Sequence, residues 1–237
     1  MAAMGVLGHR GSPDPAAGVR ENTLESFMRA RRLGADGIEL DVRSTADGAM
    51  AVHHDPVIPG VGTICELPAD GLPAFVPLLA VALDACAGMT VNIEIKDLPG
   101  EPGFDPAAPL AVEVADLVRA RGRSASVVVS SFWPDALAAV RRAAPEVSTG
   151  LLLASWFDPA DAVAAAVRLG CRALHPHVDL VGPGLVDDAH RAGLSVATWT
   201  VNDRDRLEAV RDAGIDTVIT DDVVLALAVR ATGRPGV

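Results

Sequence analysis

The chain has 237 residues, 50% of them hydrophobic, and a formal net charge of −11. This is enough material for the core of one large domain, in the size range that α/β barrels occupy. The acid excess, with no basic run and no aromatic-rich basic patch, argues against nucleic acid or an anionic membrane surface as a partner, so any anionic substrate has to be captured locally.

In chain order, Met1 to Leu7 has no basic n-region and reaches His9-Arg10 before the apolar core of a signal could form, so no export signal is expected. A first strand is predicted over Gly5 to His9. A helix follows over Ser26 to Leu33, with Asn22 as N-cap, Glu25 three residues on and Gly34 as the stop. Further strands are predicted at Gly37 to Val42, Met50 to His53, Thr90 to Ile95, Ser126 to Ser130, Thr149 to Leu153, Ala173 to His175, Ser195 to Thr200 and Thr217 to Ile219. Helical periodicity fills the intervals, with starts at Pro134-Asp135, Asp158-Pro159 and Asn202-Asp203.

The most apolar stretch, Phe75 to Val91, is interrupted by Pro77, Asp84 and Gly88 and falls short of a membrane span. It reads as a buried helix leading into a strand, and no stable membrane insertion is expected. Cys65, Cys86 and Cys171 are odd in number and lack metal-type spacing, which fits reduced thiols and a cytoplasmic location.

Short loops with one helix per strand favour parallel pairing, and about eight such units point to a closed (β/α)8 TIM barrel, with an open doubly wound sheet second. No Gly-x-Gly-x-x-Gly follows the first strand, which lowers the dinucleotide-binding form of the second. No linker divides residues 1–237, so a single domain is expected, with a Pro/Gly-rich surface excursion over about 56–77 after the second strand.

Two strand segments, Glu39-Leu40-Asp41 and Glu94-Ile95-Lys96, carry charge among residues typical of a buried interior. Residues two apart on a strand share a face, so Glu39 and Asp41 converge, as do Asn92, Glu94 and Lys96. An internal ion-pair network in which Lys96 neutralises one carboxylate leaves two unpaired. Three hard oxygen donors on two strands better suit one Mg2+ or Ca2+. Lys96 is the only lysine in the chain, and its compact ammonium is not interchangeable with a guanidinium.

In a barrel the C-terminal strand ends face one mouth, which gathers His9-Arg10, Glu39, Asp41, Glu94, Lys96 and the His53-His54-Asp55 segment at one rim. That set is sufficient for metal-assisted cleavage of a phosphodiester. A bound cation polarises a phosphoryl oxygen, Arg10 and Lys96 offset phosphate charge, and His9 and His54 share removal and return of the proton. His53, His175, His177 and His190 read as hydrogen-bonded structural residues, and Asp55 and Asp97 as groups that cap or orient neighbours. Trp199, at a strand end, is either barrel core or substrate wall.

The ordered series His9-Arg10-Gly11, Glu21-Asn22-Thr23, Glu39-Leu40-Asp41, His54-Asp55-Pro56, Asn92-Ile93-Glu94-Ile95-Lys96 and Trp199-Thr200-Val201-Asn202 resembles the glycerophosphodiester phosphodiesterase family over nearly the whole chain. The resemblance implies a (β/α)8 barrel that hydrolyses glycerophosphodiesters, such as deacylated phospholipids, to glycerol 3-phosphate and an alcohol. It implies Glu39, Asp41 and Glu94 as ligands of one divalent cation and His9 and His54 as the general acid-base pair. Arg10 and Lys96 are implied as phosphate contacts, and Phe132 and Trp199 as pocket walls, Trp199 near the glycerol end.

Two rival readings stand beside it. A lysophospholipid-directed, phospholipase D-type activity predicts an exposed apolar ring at the mouth, for which Ile58, Val61, Ile64 and Leu67 are the candidates. A non-catalytic phosphodiester-binding barrel has no need of two histidines. The chain departs from the family pattern after His54-Asp55, where an Arg-Thr-Thr-type stretch and a longer insertion shaping the leaving-group side are replaced by the short Val57 to Leu72 segment. The usual Pro before Glu-Asn is Arg20.

Overall fold

The structure, a computed structural model, describes residues 3–155, 161–182 and 184–233. Strand β1 (Gly5–Gly8) leads to helix α1 (Leu24–Leu33) and the long strand β2 (Gly37–Ser44), followed by short strands β3 (Met50–Val52), β4 (Val57–Ile58) and β5 (Gly62–Thr63). Then come α2 (Leu79–Ala85), β6 (Thr90–Ile95), α3 (Pro109–Ala120), β7 (Val127–Ser131), α4 (Pro134–Ala143), β8 (Ser148–Leu153) and α5 (Ala162–Leu169). The chain closes with β9 (Ala173–Pro176), α6 (Leu185–Arg191), β10 (Ser195–Thr198), α7 (Arg204–Ala213), β11 (Thr217–Thr220) and α8 (Val223–Ala231).

Eight of these strands pair in parallel in the order β1-β2-β6-β7-β8-β9-β10-β11, and the ring closes because Leu7 of β1 lies opposite both Gly37 of β2 and Ile219 of β11. This is the expected (β/α)8 barrel, with helices between the strands. Each helix turns one apolar stripe inward. In α3 the buried residues Leu110, Ala111, Val114, Ala115 and Val118 recur at helical spacing and meet the barrel wall.

Two local expectations are corrected. The strand read at Met50 to His53 is not a barrel strand: β3 runs antiparallel to β2, with Val42 opposite Val52 and Ser44 opposite Met50. The reason lies in β2, which continues past the rim to Ser44 and then reverses in a turn stapled by Thr45 Oγ1 donating to Asp47 Oδ1 (2.6 Å). Helix α1 is capped by Thr23, not Asn22: Thr23 Oγ1 accepts from Ser26 N (3.2 Å) and Ser26 Oγ accepts from Thr23 N (3.3 Å). Asn22 has a left-handed backbone (φ 54°), and its side chain is used elsewhere. The start expected at Asp158-Pro159 lies outside the described residues, and α5 is preceded by Asp161.

Gly11 shows how tightly α1 is set against the end of β1. Its φ is +88°, and a Cβ there would fall 2.4 Å from Ser26 Oγ. Ser26 Oγ also donates to Arg10 O (2.9 Å), so the first turn of α1 holds the backbone that follows β1.

Candidate active site

The carboxylates come from neighbouring strands at matched height. On β2 and β6, Asp41 lies opposite Glu94 and Glu39 opposite Asn92, so parallel register brings three acids together near the C-terminal rim. Glu39, Asp41 and Glu94 are buried at or below 12% side-chain exposure, and one carboxylate oxygen of each lies within 4.8 Å of the others. Lys96 Nζ sits 2.5 Å from Glu94 Oε1 and 3.3 Å from Asp41 Oδ1. Arg10 Nε lies 3.4 Å from Asp41 Oδ2, and its backbone N donates to Glu39 Oε2 (2.9 Å). Asn22 completes the frame, with Nδ2 donating to Asp41 Oδ2 (2.8 Å) and Oδ1 accepting from Asp41 N (3.2 Å).

Three acids thus face two cations, and the imbalance shows in their proton affinities. Burial, then the neighbouring Asp41 carboxylate, pushes Glu39 up to about 8. Burial also drives Asp41 upward, but Lys96, Arg10 and His54 overcome it and hold that carboxyl below its usual range. Glu39 Oε1 has no hydrogen-bond partner among the described residues although it is buried. An orphaned carboxylate oxygen beside two further acids fits a divalent cation taking all-oxygen ligands.

The two histidines flank this cluster from different elements. His9, just beyond β1, pairs Nδ1 with Asp221 Oδ1 (2.8 Å). Burial pulls its proton affinity down, but the Asp221 hydrogen bond and the Glu39 charge outweigh it and the net shift is upward. His54 reaches the rim because β3 folds back over the extension of β2 and His53 N donates to Asp41 O (3.0 Å). His54 Nδ1 pairs with Asp55 Oδ1 (2.7 Å), as the orienting role read for Asp55 requires. Here burial prevails, and the net shift is downward.

Phe132 and Trp199 meet edge to face at 5.6 Å, and the His177 ring packs on Trp199 at 5.1 Å. Trp199 Nε1 donates to His175 O (2.9 Å), which orients the indole. Of the proposed apolar ring at the mouth, Ile58 and Ile64 are buried at 2% and 1% in a small cluster with Ala51 and Val76. They form the core of the excursion, and of the four residues only Val61 is largely exposed.

Besides the hold of Asn22 on Asp41, the roles of Asp221, Asn202 and Arg43 are not legible in the sequence. Asp221 is held by Asn202, whose Nδ2 donates to Asp221 Oδ2 (2.6 Å) and whose Oδ1 accepts from Asp221 N (2.8 Å). Asn202 stood in a recognised motif and Asp221 follows the last strand, but 19 positions separate them and no local pattern links them. Arg43 is the third inward side chain of Glu39-x-Asp41-x-Arg43. It is 4% exposed and ties the site loops together, donating to His54 O (2.7 Å), Lys96 O (3.2 Å) and Glu101 Oε2 (2.9 Å). Arg43→Met leaves these acceptors unpaired and is expected to lower stability by about 3 kcal/mol, roughly 6–12 °C in Tm. Thermal unfolding checks this, and an unchanged Tm contradicts the role as a strut.

Below the mouth, His175 is 3% exposed, and burial holds its imidazole down at about 4. The ring lies over Gly150, where a Cβ would come within 2.6 Å of Nε2. A histidine refusing its proton when folded but accepting it near 6.5 when unfolded contributes full stability above pH 6.5, lost as pH falls toward 4. The expected loss is roughly 3 kcal/mol over that window. Denaturant titrations of wild type and His175→Gln across this range test it: the slope should flatten in the variant.

The sequence pattern of the Glycerophosphoryl diester phosphodiesterase family matches residues 9–225, and the chain belongs to that family. It is 30% identical to a glycerophosphodiester phosphodiesterase of Caldanaerobacter subterraneus subsp. tengcongensis, over 92% of this chain and 93% of the relative. A glycerophosphodiester phosphodiesterase structure from Thermotoga maritima superposes with a TM-score of 0.75 at 27% identity, covering 96% of this chain and 99% of that one. An Oleispira antarctica phosphodiesterase, determined in complex with the product sn-glycerol-3-phosphate, shares the fold with a TM-score of 0.82 at 23% identity, over 96% of each chain. No helix among the described residues is long and apolar enough to cross a membrane.

Proposed function

We propose that this barrel, a single domain over residues 1–237, hydrolyses glycerophosphodiesters to glycerol 3-phosphate and an alcohol. One divalent cation, Mg2+ or Ca2+, is held by Glu39, Asp41 and Glu94. The observation that carries the reading is the buried trio of carboxylates within 4.8 Å, flanked by two histidines whose Nδ1 atoms are each anchored to an aspartate. Family membership supports the reaction class.

When bound, the cation supplies Lewis acidity at a phosphoryl oxygen. The chain supplies the rest. Arg10 presents a forked donor and Lys96 a point charge to the phosphate oxygens, each already oriented by the acids it touches. With Nδ1 engaged, each imidazole leaves Nε2 to face the substrate. His54, whose proton affinity is lowered by burial, removes the proton from the attacking hydroxyl. His9, whose proton affinity is raised through Asp221, returns one to the departing alkoxide as the phosphorus–oxygen bond breaks. Phe132 and Trp199 form part of the pocket wall, Trp199 near the glycerol end.

The test is release of glycerol 3-phosphate from glycerophosphocholine and glycerophosphoethanolamine by metal-stripped protein, with Mg2+, Ca2+ or Mn2+ returned. Activity restored by a divalent ion is expected. Silence with every ion from protein that still binds metal contradicts the reading.

A further inference from the structure

A groove of about 1020 Å3 runs from the mouth between the segment after β1 and the excursion after β2. Its size is at the upper end of roughly 300–1,000 Å3 for small-molecule sites. Its inner end is formed by Glu21, Asn22 and Asp221, the residues that hold Arg10, Asp41 and His9. Beyond them the walls are mainly apolar, with Pro13, Val19, Ile58, Pro59, Val61 and Phe75 beside Arg20 and His53. Val61 and Phe75 are 44% and 36% exposed, and Val57 beside them is 46% exposed. Apolar side chains thus stand in water along a channel that begins at the reacting centre.

Resting on the hydrolytic reading above, we propose that this groove binds the alcohol arm of the substrate and selects apolar, chain-like alcohols over cationic head groups. A phosphodiester in the mouth has two arms. Glycerol carries two free hydroxyls that need hydrogen-bond partners, and these mainly apolar walls offer few, since Arg20 lies over the Phe75 ring and His53 Nδ1 is already paired with Asp55 O (2.9 Å). Phe132 and Trp199, proposed above as pocket walls with Trp199 near the glycerol end, follow β7 and β10, three and two strands round the ring from β1, and neither lines this groove. The arm left for the groove is therefore the alcohol.

A quaternary ammonium is disfavoured there. Its natural partner would be the Phe75 ring, but the Arg20 guanidinium already lies 4.4 Å from that ring's centroid and repels a second cation. The acids lining the groove are also engaged, Glu21 by Arg10 and Asp221 by His9 and Asn202. An alkyl chain meets no such conflict and removes exposed apolar surface from water at both walls.

The experiment compares glycerol 3-phosphate release from glycerophospho-n-alkanols, methyl through octyl, and from glycerophosphocholine, using the full chain with its metal. The expected result is a rise in kcat/KM of roughly threefold per methylene over the first several carbons, with glycerophosphocholine below the butyl diester. Val61→Asp should cut the octyl-to-methyl ratio about tenfold or more, and Val61→Leu should keep it. A flat series while the methyl diester is cleaved overturns the groove assignment and leaves the hydrolytic reading standing, as does an unchanged ratio in Val61→Asp. Failure to cleave any diester, glycerophosphocholine included, overturns the reading and the groove together.

Discussion

His54→Ala and His9→Ala are each expected to lower kcat/KM for glycerophosphocholine by about a thousandfold while the protein remains folded. Both imidazoles lie near the surface of the mouth, with 32% and 20% side-chain exposure, and contribute one aspartate contact each to the fold. Positioned acid-base groups typically supply 100- to 10,000-fold, so the loss should fall on turnover, not on thermal unfolding. Asp221→Asn separates orientation from presence. An amide can turn its NH2 toward His9 Nδ1 and select the opposite tautomer, so activity should fall although the ring stays in place. Nitrogen chemical shifts of labelled histidine read the tautomer directly. Full activity in either alanine variant contradicts the assigned roles.

Glu39→Gln is expected to abolish most metal-dependent turnover, by about 100-fold or more, yet raise the Tm of the metal-free protein by several degrees. The two signs have one cause. Glu39 has a carboxyl near 4.5 when unfolded and about 8 when folded, through burial and Asp41. It imposes no penalty below pH 4.5 and a growing one as pH rises toward 8. At pH 7 the glutamine removes a penalty on the order of 2–3 kcal/mol and still offers Arg10 N an oxygen. A lower Tm in the metal-free variant would show that the acids are a structural network, not a cation site awaiting its ion.

The barrel and the heart of the site were legible because strand periodicity is short-range. Alternation at Glu39, Asp41, Asn92, Glu94 and Lys96 sets each side chain's face before any tertiary contact is known, and parallel register then brings Asp41 opposite Glu94. What escaped depends on contacts between distant segments. The reversal of β3 follows from how far β2 outruns the rim. Asn22 has the composition of a helix cap, and only the left-handed turn at φ 54° releases it to Asp41 and leaves Thr23 to cap α1. Arg43 reads as an ordinary charged strand end until the loops carrying His54 and Lys96 converge on it. Of the four candidates for an apolar ring, Ile58 and Ile64 instead build the excursion's own core, and the large apolar side chains the excursion exposes are Val57, Val61 and Phe75.

If Glu39, Asp41 and Glu94 hold the cation as proposed, turnover requires one ion per chain. The most direct test follows glycerol 3-phosphate release by EDTA-stripped protein as Mn2+ is returned and the bound ion is counted by electron paramagnetic resonance. No release is expected without metal, and activity should rise in proportion to bound ion up to one per chain, with both lost together in Glu94→Gln. Full activity in the stripped protein, or in a variant that no longer binds the ion, would contradict this requirement.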